Sequence, residues 1–147
     1  YLRTGHWDTD ATSVWTNVAQ RLIQIHLCVV YLFAGLSKLQ GAAWWNGTAF
    51  WGAIANAEYQ TADLTALAAW PAVVNLCTHG IVAFELSYCV MIWNRWWRPW
   101  WLAAAGLLHL GIGICLGMMT FGLVMIAANL AFVPCERLSI VRVRSAA

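Results

Sequence analysis

The chain has 147 residues, of which 62% are hydrophobic and only 10% are charged. A soluble domain of this length carries about a quarter charged residues, so the composition excludes an ordinary soluble protein and predicts a single domain embedded in a lipid bilayer. The net charge of +2 is too small to imply a nucleic-acid partner, so none is predicted. The five scattered cysteines form no CxxC pair, so no metal site is predicted.

The first predicted membrane span covers residues 18–39. Its apolar stretch begins at Leu22, and Gly41 is predicted to end the helix shortly after Lys38. The residues before this span are polar and mixed, unlike a secretory signal peptide. The chain also begins at Tyr1 rather than Met, so we expect a fragment or a processed product.

Residues 41–69 are too polar for a membrane span and too apolar for a plain loop. They contain several Trp residues and two carboxylates but neither Lys nor Arg. This composition predicts two short helices that lie in the membrane interface, near 47–57 and 61–69.

Three further spans are predicted, over residues 71–93, 99–116 and 121–133. Pro71 and Pro99 suit the first turns of two of these helices, because proline lacks the N–H that a helix start leaves unpaired. The predicted fold is therefore an all-α membrane protein with about four transmembrane helices and short interfacial helices between the first and the second.

The third and fourth spans belong to one apolar run over residues 100–133. As a single helix this run is too long to cross about 30 Å of hydrocarbon once. Gly117 is predicted to stop the third helix and Thr120 to cap the N-terminus of the fourth.

Four antiparallel spans place every arginine on the same side of the membrane. The positive-inside rule makes that side cytoplasmic, and Lys38 falls at the edge of the opposite side. The arginines that define this orientation are Arg3, Arg21, Arg95, Arg98, Arg137, Arg142 and Arg144.

Glu85 and His109 are ionisable residues inside predicted spans. A carboxylate in hydrocarbon is costly, so Glu85 is expected to face protein or a cavity. Helix rise puts both residues at a similar depth, which predicts a Glu85–His109 hydrogen bond. The pair either ties two helices together or serves as a proton relay or a quinone contact. Asn129, a lone amide in the fourth span, is predicted to form an interhelical hydrogen bond.

Lys38 has two interpretations. A lysine at the end of a span normally extends to the lipid headgroups as an anchor. A desolvated lysine can instead act as a base. In that case its amine should turn inward, into a pocket lined by Tyr31, Gly35 and residues of the 41–69 segment.

The stretch Ala34-Gly35-Leu36-Ser37-Lys38-Leu39, followed by Trp44 and Gly47, resembles the A-G-x-x-K-L…W…G signature of vitamin K-dependent γ-carboxylases. It is equally similar to their bacterial relatives, the HTTM (horizontally transferred transmembrane) proteins. The likeness covers about residues 18–138 and corresponds to the C-terminal half of the family's membrane domain. Ser37 stands where the animal enzymes have a second lysine.

The resemblance implies a bacterial inner-membrane protein in which Lys38 deprotonates a reduced, vitamin K-like quinone. If the chain is active, it implies a γ-glutamyl carboxylase-like lyase and epoxidase, with Glu85 and His109 shaping or protonating the pocket. The alternative function is a non-catalytic membrane subunit or a quinone- or lipid-binding scaffold that packs against partner proteins. A short chain rich in Trp and small residues suits this alternative.

Overall fold

The computed structural model describes residues 14–133, and all regular structure within that range is helical, which confirms the predicted all-helical class. In chain order the elements are α1 (Val14–Lys38), α2 (Ala42–Trp45), α3 (Ala49–Ile54), a 3-10 turn over Thr65–Ala69, α4 (Pro71–Met91), α5 (Arg98–Cys115) and α6 (Met119–Asn129), which is continued by a 3-10 turn over Leu130–Phe132.

Among the described helices, α1 and α4 are long and apolar enough to cross a membrane. The α5 helix has 18 residues but begins with Arg98, and α6 with its 3-10 turn forms a shorter apolar helix. All four long helices therefore lie where spans were predicted, and two of them meet the length and hydropathy of a spanning helix. Four arginines that support the predicted orientation lie outside the described residues: Arg3, Arg137, Arg142 and Arg144.

The turn between α4 and α5 is held by the guanidinium of Arg98. Its Nε donates to the carbonyl of Ile92 at 3.1 Å, and its Nη2 donates to the carbonyl of Trp93 at 3.2 Å. These are carbonyls that the C-terminus of α4 leaves without helical partners. Pro71 begins α4 and Pro99 lies in the first turn of α5, as the sequence predicted.

The turn between α5 and α6 depends on Gly117. Its φ of +70° lies in the left-handed region, which costs a residue with a Cβ about 1–2 kcal/mol, so the predicted helix stop is confirmed. The predicted cap at Thr120 was wrong. The α6 helix begins at Met119, two residues before the predicted start at residue 121, and its N-cap position, Met118, makes no side-chain cap bond.

The segment between α1 and α4 folds back over the ends of α4 and α5. The hydroxyl of Thr78 accepts a hydrogen bond from the amide of Phe50 at 3.1 Å, which ties α3 to α4. The amide of Thr61 donates to the carbonyl of Cys115 at 3.0 Å, and its hydroxyl donates to the carbonyl of Ile114. The predicted short helices are thus present, and they close one end of the helix bundle.

The buried core is small and lies among the four long helices, where α1 packs on α4 and α5 packs on α6. Gly35 allows the first of these contacts, because a Cβ at this position would come within 2.8 Å of the Leu86 side chain. The core residues are Leu27, Tyr31, Tyr88, Ile92, Ala105, Met125 and Phe132.

Candidate functional site

The centre of the candidate site is an ion pair between Lys38, the last residue of α1, and Glu85 of α4. The Lys38 Nζ lies 2.9 Å from Oε1 of Glu85 and 2.8 Å from Oε2. The contact to Oε1 is aligned as a hydrogen bond, whereas the contact to Oε2 is an electrostatic one. A bifurcated contact of this kind holds the ammonium on the carboxylate.

The ammonium of Lys38 points into the bundle. The side chain of Lys38 is 22% exposed and that of Glu85 is 8% exposed. Glu85 lies about 21 Å of helix rise beyond Pro71, the first residue of α4. A headgroup anchor would extend towards the end of the bundle. The structure therefore agrees with the inward orientation that was expected of a base.

Trp44 of α2 covers the ammonium. The Lys38 Nζ lies 5.2 Å from the centroid of the Trp44 ring, within the range of a cation–π contact. The lysine and the tryptophan of the resembling motif are therefore brought together by the turn between α1 and α2. This contact was not predicted from the sequence.

A cavity of about 530 Å³ adjoins the ion pair, between α4, α5 and the segment that links α1 to α4. Lys38 and Glu85 are the only charged side chains among its described lining residues, and most of the others are apolar. The linking segment contributes Trp44, Phe50, Ala53, Ile54 and Leu64, and the long helices contribute Cys77, Gly80, Ile81, Leu107, Leu108, Gly111, Ile112, Cys115 and Leu116. The expected contribution of the 41–69 segment to the pocket is thus confirmed.

Tyr31 and Gly35 do not line this cavity, so that part of the predicted pocket was wrong. Gly35 is closed off by Leu86 of the neighbouring helix. Tyr31 is stacked on Tyr88, with 3.9 Å between the ring centroids, and only 2% of it is exposed. Both residues share a helical face with Lys38, but at Tyr31 and Gly35 that face packs against α4 and does not border the cavity.

The predicted Glu85–His109 hydrogen bond is not formed. Both residues are buried as expected, but Glu85 is paired with Lys38, and the Nε2 of His109 lies 2.8 Å from the hydroxyl of Tyr31. His109 also does not line the cavity. Depth along the two helices was a correct guide to burial, but the direction of each side chain around its helix decided the partner.

Asn129 belongs to a network of four buried side chains, with Tyr31, Tyr88 and His109, which confirms its predicted interhelical role. Its Nδ2 donates to the hydroxyl oxygen of Tyr31 at 3.1 Å and to the carbonyl of Met125 at 2.8 Å. The Tyr88 hydroxyl donates to Oδ1 of Asn129 at 2.6 Å. The same hydroxyl of Tyr31 lies 2.8 Å from Nε2 of His109.

The other ring nitrogen of His109, Nδ1, is buried and has no hydrogen-bond partner among the described residues. The network therefore joins α1, α4, α5 and α6 but leaves one buried ring nitrogen without a partner.

No protein-family model, curated protein or solved structure matches this chain. The resemblance to the γ-carboxylases and HTTM proteins thus stays a prediction, based on the Lys38 motif.

The sequence contained an indication of the Lys38–Glu85 pair, but the predicted partner of Glu85 was chosen from helix rise alone. Lys38 is the only lysine in the chain, and a charge within an apolar segment normally finds an opposite charge. Chemically, the pair is a proton donor and a proton acceptor in contact at the wall of an apolar cavity. It can hold a polar group of a ligand whose remainder is apolar, and it can exchange a proton with that group.

Proposed function

We propose that this chain is an integral membrane protein with four spanning helices, in which the arginine-bearing side is cytoplasmic. Its exposed surface supports a lipid environment, because large apolar side chains face outward on all the long helices. Phe33, Leu76 and Leu107 are 66%, 72% and 73% exposed. Such a surface is stable in hydrocarbon, whereas in water it would promote aggregation.

Exposed tryptophans near both ends of the long helices support the same proposal. Trp70 lies immediately before α4, and Trp45 lies shortly after α1, at the same end of the bundle. Trp96 and Trp100 lie at the other end, beside the arginines of the α4–α5 turn. Two belts of tryptophan on either side of an apolar surface are typical of membrane–water interfaces.

We further propose that the cavity binds a reduced quinone, a flat apolar ring that carries hydroxyl groups. The observation that supports this proposal is the position of the Lys38–Glu85 pair at the wall of an otherwise apolar cavity of about 530 Å³. A ligand that fits must be largely apolar, with one group able to exchange hydrogen bonds with a charged pair. A hydroquinone has this chemistry, and the Lys38 motif resembles that of enzymes that use one.

Proton transfer within the pair would prepare Lys38 to act as the base. When the Nζ of Lys38 passes a proton to Oε1 of Glu85, 2.9 Å away, the two groups become a neutral amine and a neutral carboxylic acid. The amine can then accept the proton of a ligand hydroxyl and return to the ammonium form. The net result is one proton moved from the ligand to Glu85, and the ammonium of Lys38 is then paired with the oxyanion of the ligand in place of the carboxylate. In the carboxylases that the Lys38 motif resembles, the hydroquinone is the group that reacts with oxygen.

A non-catalytic membrane subunit or scaffold is the second candidate. It is favoured by the network of Tyr31, Tyr88, His109 and Asn129, because these buried polar side chains bond to one another, away from the cavity. In that case Lys38 and Glu85 would join α1 to α4 in the same manner.

The deciding experiment compares membranes that contain the full-length protein with membranes that contain its Lys38→Arg variant. Each is supplied with a hydroquinone, oxygen, labelled bicarbonate and a glutamate-containing peptide, and both epoxide and incorporated label are measured. Arginine keeps the positive charge but stays protonated, so the base role predicts a loss of at least about a hundredfold. Ser37→Ala is the matched control, because among the described residues the Ser37 hydroxyl bonds to the carbonyl of Ala34 in its own helix.

Equal turnover by the unaltered protein and the Lys38→Arg variant would exclude Lys38 as the base. Hydroquinone binding by the unaltered protein without any turnover would instead identify a binding scaffold.

A further inference from the structure

The outward face of α1 carries an exposed stripe of side chains along most of the helix. Its members are separated alternately by three and four positions, which is the 3.5-residue repeat that lets two helices stay in contact over their length. The stripe lies opposite the buried face of α1, which packs against α4 and α6. All of its members are exposed: Ala19, Leu22, His26, Val29, Phe33 and Leu36.

His26 is the one polar member of this stripe, and it lies at the middle of α1. It is twelve positions from each end of the helix, Val14 and Lys38, which is about 18 Å of helix rise. It is exposed and has no hydrogen-bond partner among the described residues. With α1 spanning the membrane as proposed, the imidazole lies near the centre of the hydrocarbon, where a polar side chain without a partner is costly.

Lipid does not supply a partner for His26. Acyl chains have no hydrogen-bonding group, and the headgroups begin about 15 Å from the centre of the bilayer. The neighbouring members of the stripe, Leu22 and Val29, are apolar and cannot bond to the ring either. Whatever covers this face of α1 must therefore bring a hydrogen-bonding group to the depth of His26.

A second copy of the chain meets this requirement. Two copies that insert with the same orientation can place their α1 helices parallel, about a twofold axis along the membrane normal. In a parallel pair with this repeat, each member of the stripe lies beside its own equivalent, so His26 faces the partner's His26. A neutral imidazole has one donor nitrogen and one acceptor nitrogen, so two such rings can bond to each other.

We propose that two copies of this chain associate through the stripe on α1, with the imidazoles of the two His26 residues hydrogen-bonded to each other at the centre of the membrane. The apolar members pack along about 26 Å of helix, from Ala19 to Leu36, which is most of the thickness of the hydrocarbon. The imidazole pair sets the register, because sliding one helix along the other would leave both rings without a partner. This inference rests on the proposed membrane topology and is independent of the proposed quinone.

Disulfide cross-linking in membranes tests the position of the interface. The native cysteines of the full-length protein are replaced, single cysteines are introduced on α1, and copper phenanthroline is added as the oxidant. Leu22→Cys and Val29→Cys, both on the stripe, should give a covalent dimer. Ile23→Cys is the matched control, because Ile23 is also exposed and lies at the same depth, but about 100° around the helix from Leu22. Its yield should be at least about fivefold lower, since a disulfide requires Cα atoms within about 7 Å.

Dimer affinity in liposomes tests the imidazole pair. Energy transfer between two differently labelled populations of the full-length protein gives the dissociation constant as a mole fraction of protein in lipid. His26→Leu removes the hydrogen bond but keeps a side chain of similar size, and it should weaken the dimer about three- to thirtyfold. His26→Asn should restore most of the affinity, because an amide also has a donor and an acceptor. Ile23→Leu, away from the stripe, should change the dissociation constant by less than about twofold.

Several outcomes would overturn the inference while the proposed four-span topology stands. One is a protein that stays monomeric in liposomes at every ratio of protein to lipid. Another is equal cross-linking of Leu22→Cys and Ile23→Cys, and a third is an unchanged dissociation constant for His26→Leu. Release of the protein from membranes by alkaline carbonate would instead refute the proposed topology, and the inference with it.

Discussion

The ammonium of Lys38 and the carboxylate of Glu85 stand 2.8 Å apart, although 47 residues separate them in the chain. The pair joins the end of α1 to the middle of α4 and places both charges at the wall of an apolar cavity. Each charge is therefore tolerated because of the other, and the two should behave as one unit when either is removed.

A double-mutant cycle tests this coupling. Lys38→Met leaves the more deeply buried Glu85 without a partner and should lower the free energy of unfolding by about 3 kcal/mol. Glu85→Leu should cost somewhat less, since the lysine that remains is partly exposed. The loss of unfolding free energy in the combined variant should be about 1–3 kcal/mol smaller than the sum of the losses in the two single variants.

Unfolding by denaturant in detergent micelles measures all three variants, with Glu85→Gln as the conservative control. If Glu85 acts only as a hydrogen-bonded clamp, Gln should be tolerated better than Leu. Strictly additive losses would show that the pair does not act as a unit.

Asn129 should be among the least replaceable polar residues. Asn129→Leu removes the acceptor of the Tyr88 hydroxyl and the donor to Tyr31, both within the buried network. Leaving these groups unsatisfied should cost about 2–4 kcal/mol, measured as the free energy of unfolding. Asn17→Leu, at an exposed position of α1, is the control and should have little effect. A similar loss for both variants would exclude a special role for the network.

Gly117 should be required for the turn between α5 and α6. Gly117→Ala must adopt a φ of +70° and brings its Cβ within 2.9 Å of the Thr61 side chain, so we expect a loss of about 1–2 kcal/mol in unfolding free energy. Gly52→Ala, where a Cβ meets nothing within 4 Å inside α3, should be neutral or stabilising by about 0.5–1 kcal/mol. A larger loss of unfolding free energy for Gly52→Ala than for Gly117→Ala would contradict this account of the turn.

The four-span topology is open to cysteine labelling from each side of the membrane. The native cysteines are first replaced, and single cysteines are then introduced at Gly52 and Arg95. The proposed topology predicts labelling of these two positions from opposite sides. Labelling of both from the same side would show that the number of spans between them is even rather than odd.

Asp63 provides a pH-dependent signal outside the proposed spans. The hydroxyl and the amide of Thr65 donate to Oδ1 of Asp63, and these bonds hold the pKa of that carboxyl below its ordinary value. A lowered pKa means that the contribution to stability is present above the unfolded-state pKa and is lost as the pH falls through the folded-state pKa. Thr65→Ala should raise the pKa of Asp63, as measured by carbon NMR of the carboxyl group. An unchanged pKa would show that the bonds do not persist in solution.

The sequence by itself determined the helical class and most of the helix boundaries. Apolar runs longer than about 10–12 residues are typical of helices rather than strands, and Pro71, Pro99 and Gly117 interrupt the helices through their own backbone geometry. It also determined that Glu85, His109 and Asn129 would be buried, since polar groups in apolar helices turn towards protein.

Only the tertiary structure decided which of these buried groups meet. Helix rise gives depth but not the rotation of one helix against another, so Glu85 was assigned to His109 while its partner is Lys38. The partner of His109 is Tyr31, from a face of α1 that had been assigned to the pocket. The cavity likewise requires the segment after α1 to fold back over α4 and α5. That contact depends on side chains distant in sequence, such as Thr61 and Cys115, whose proximity no local pattern encodes.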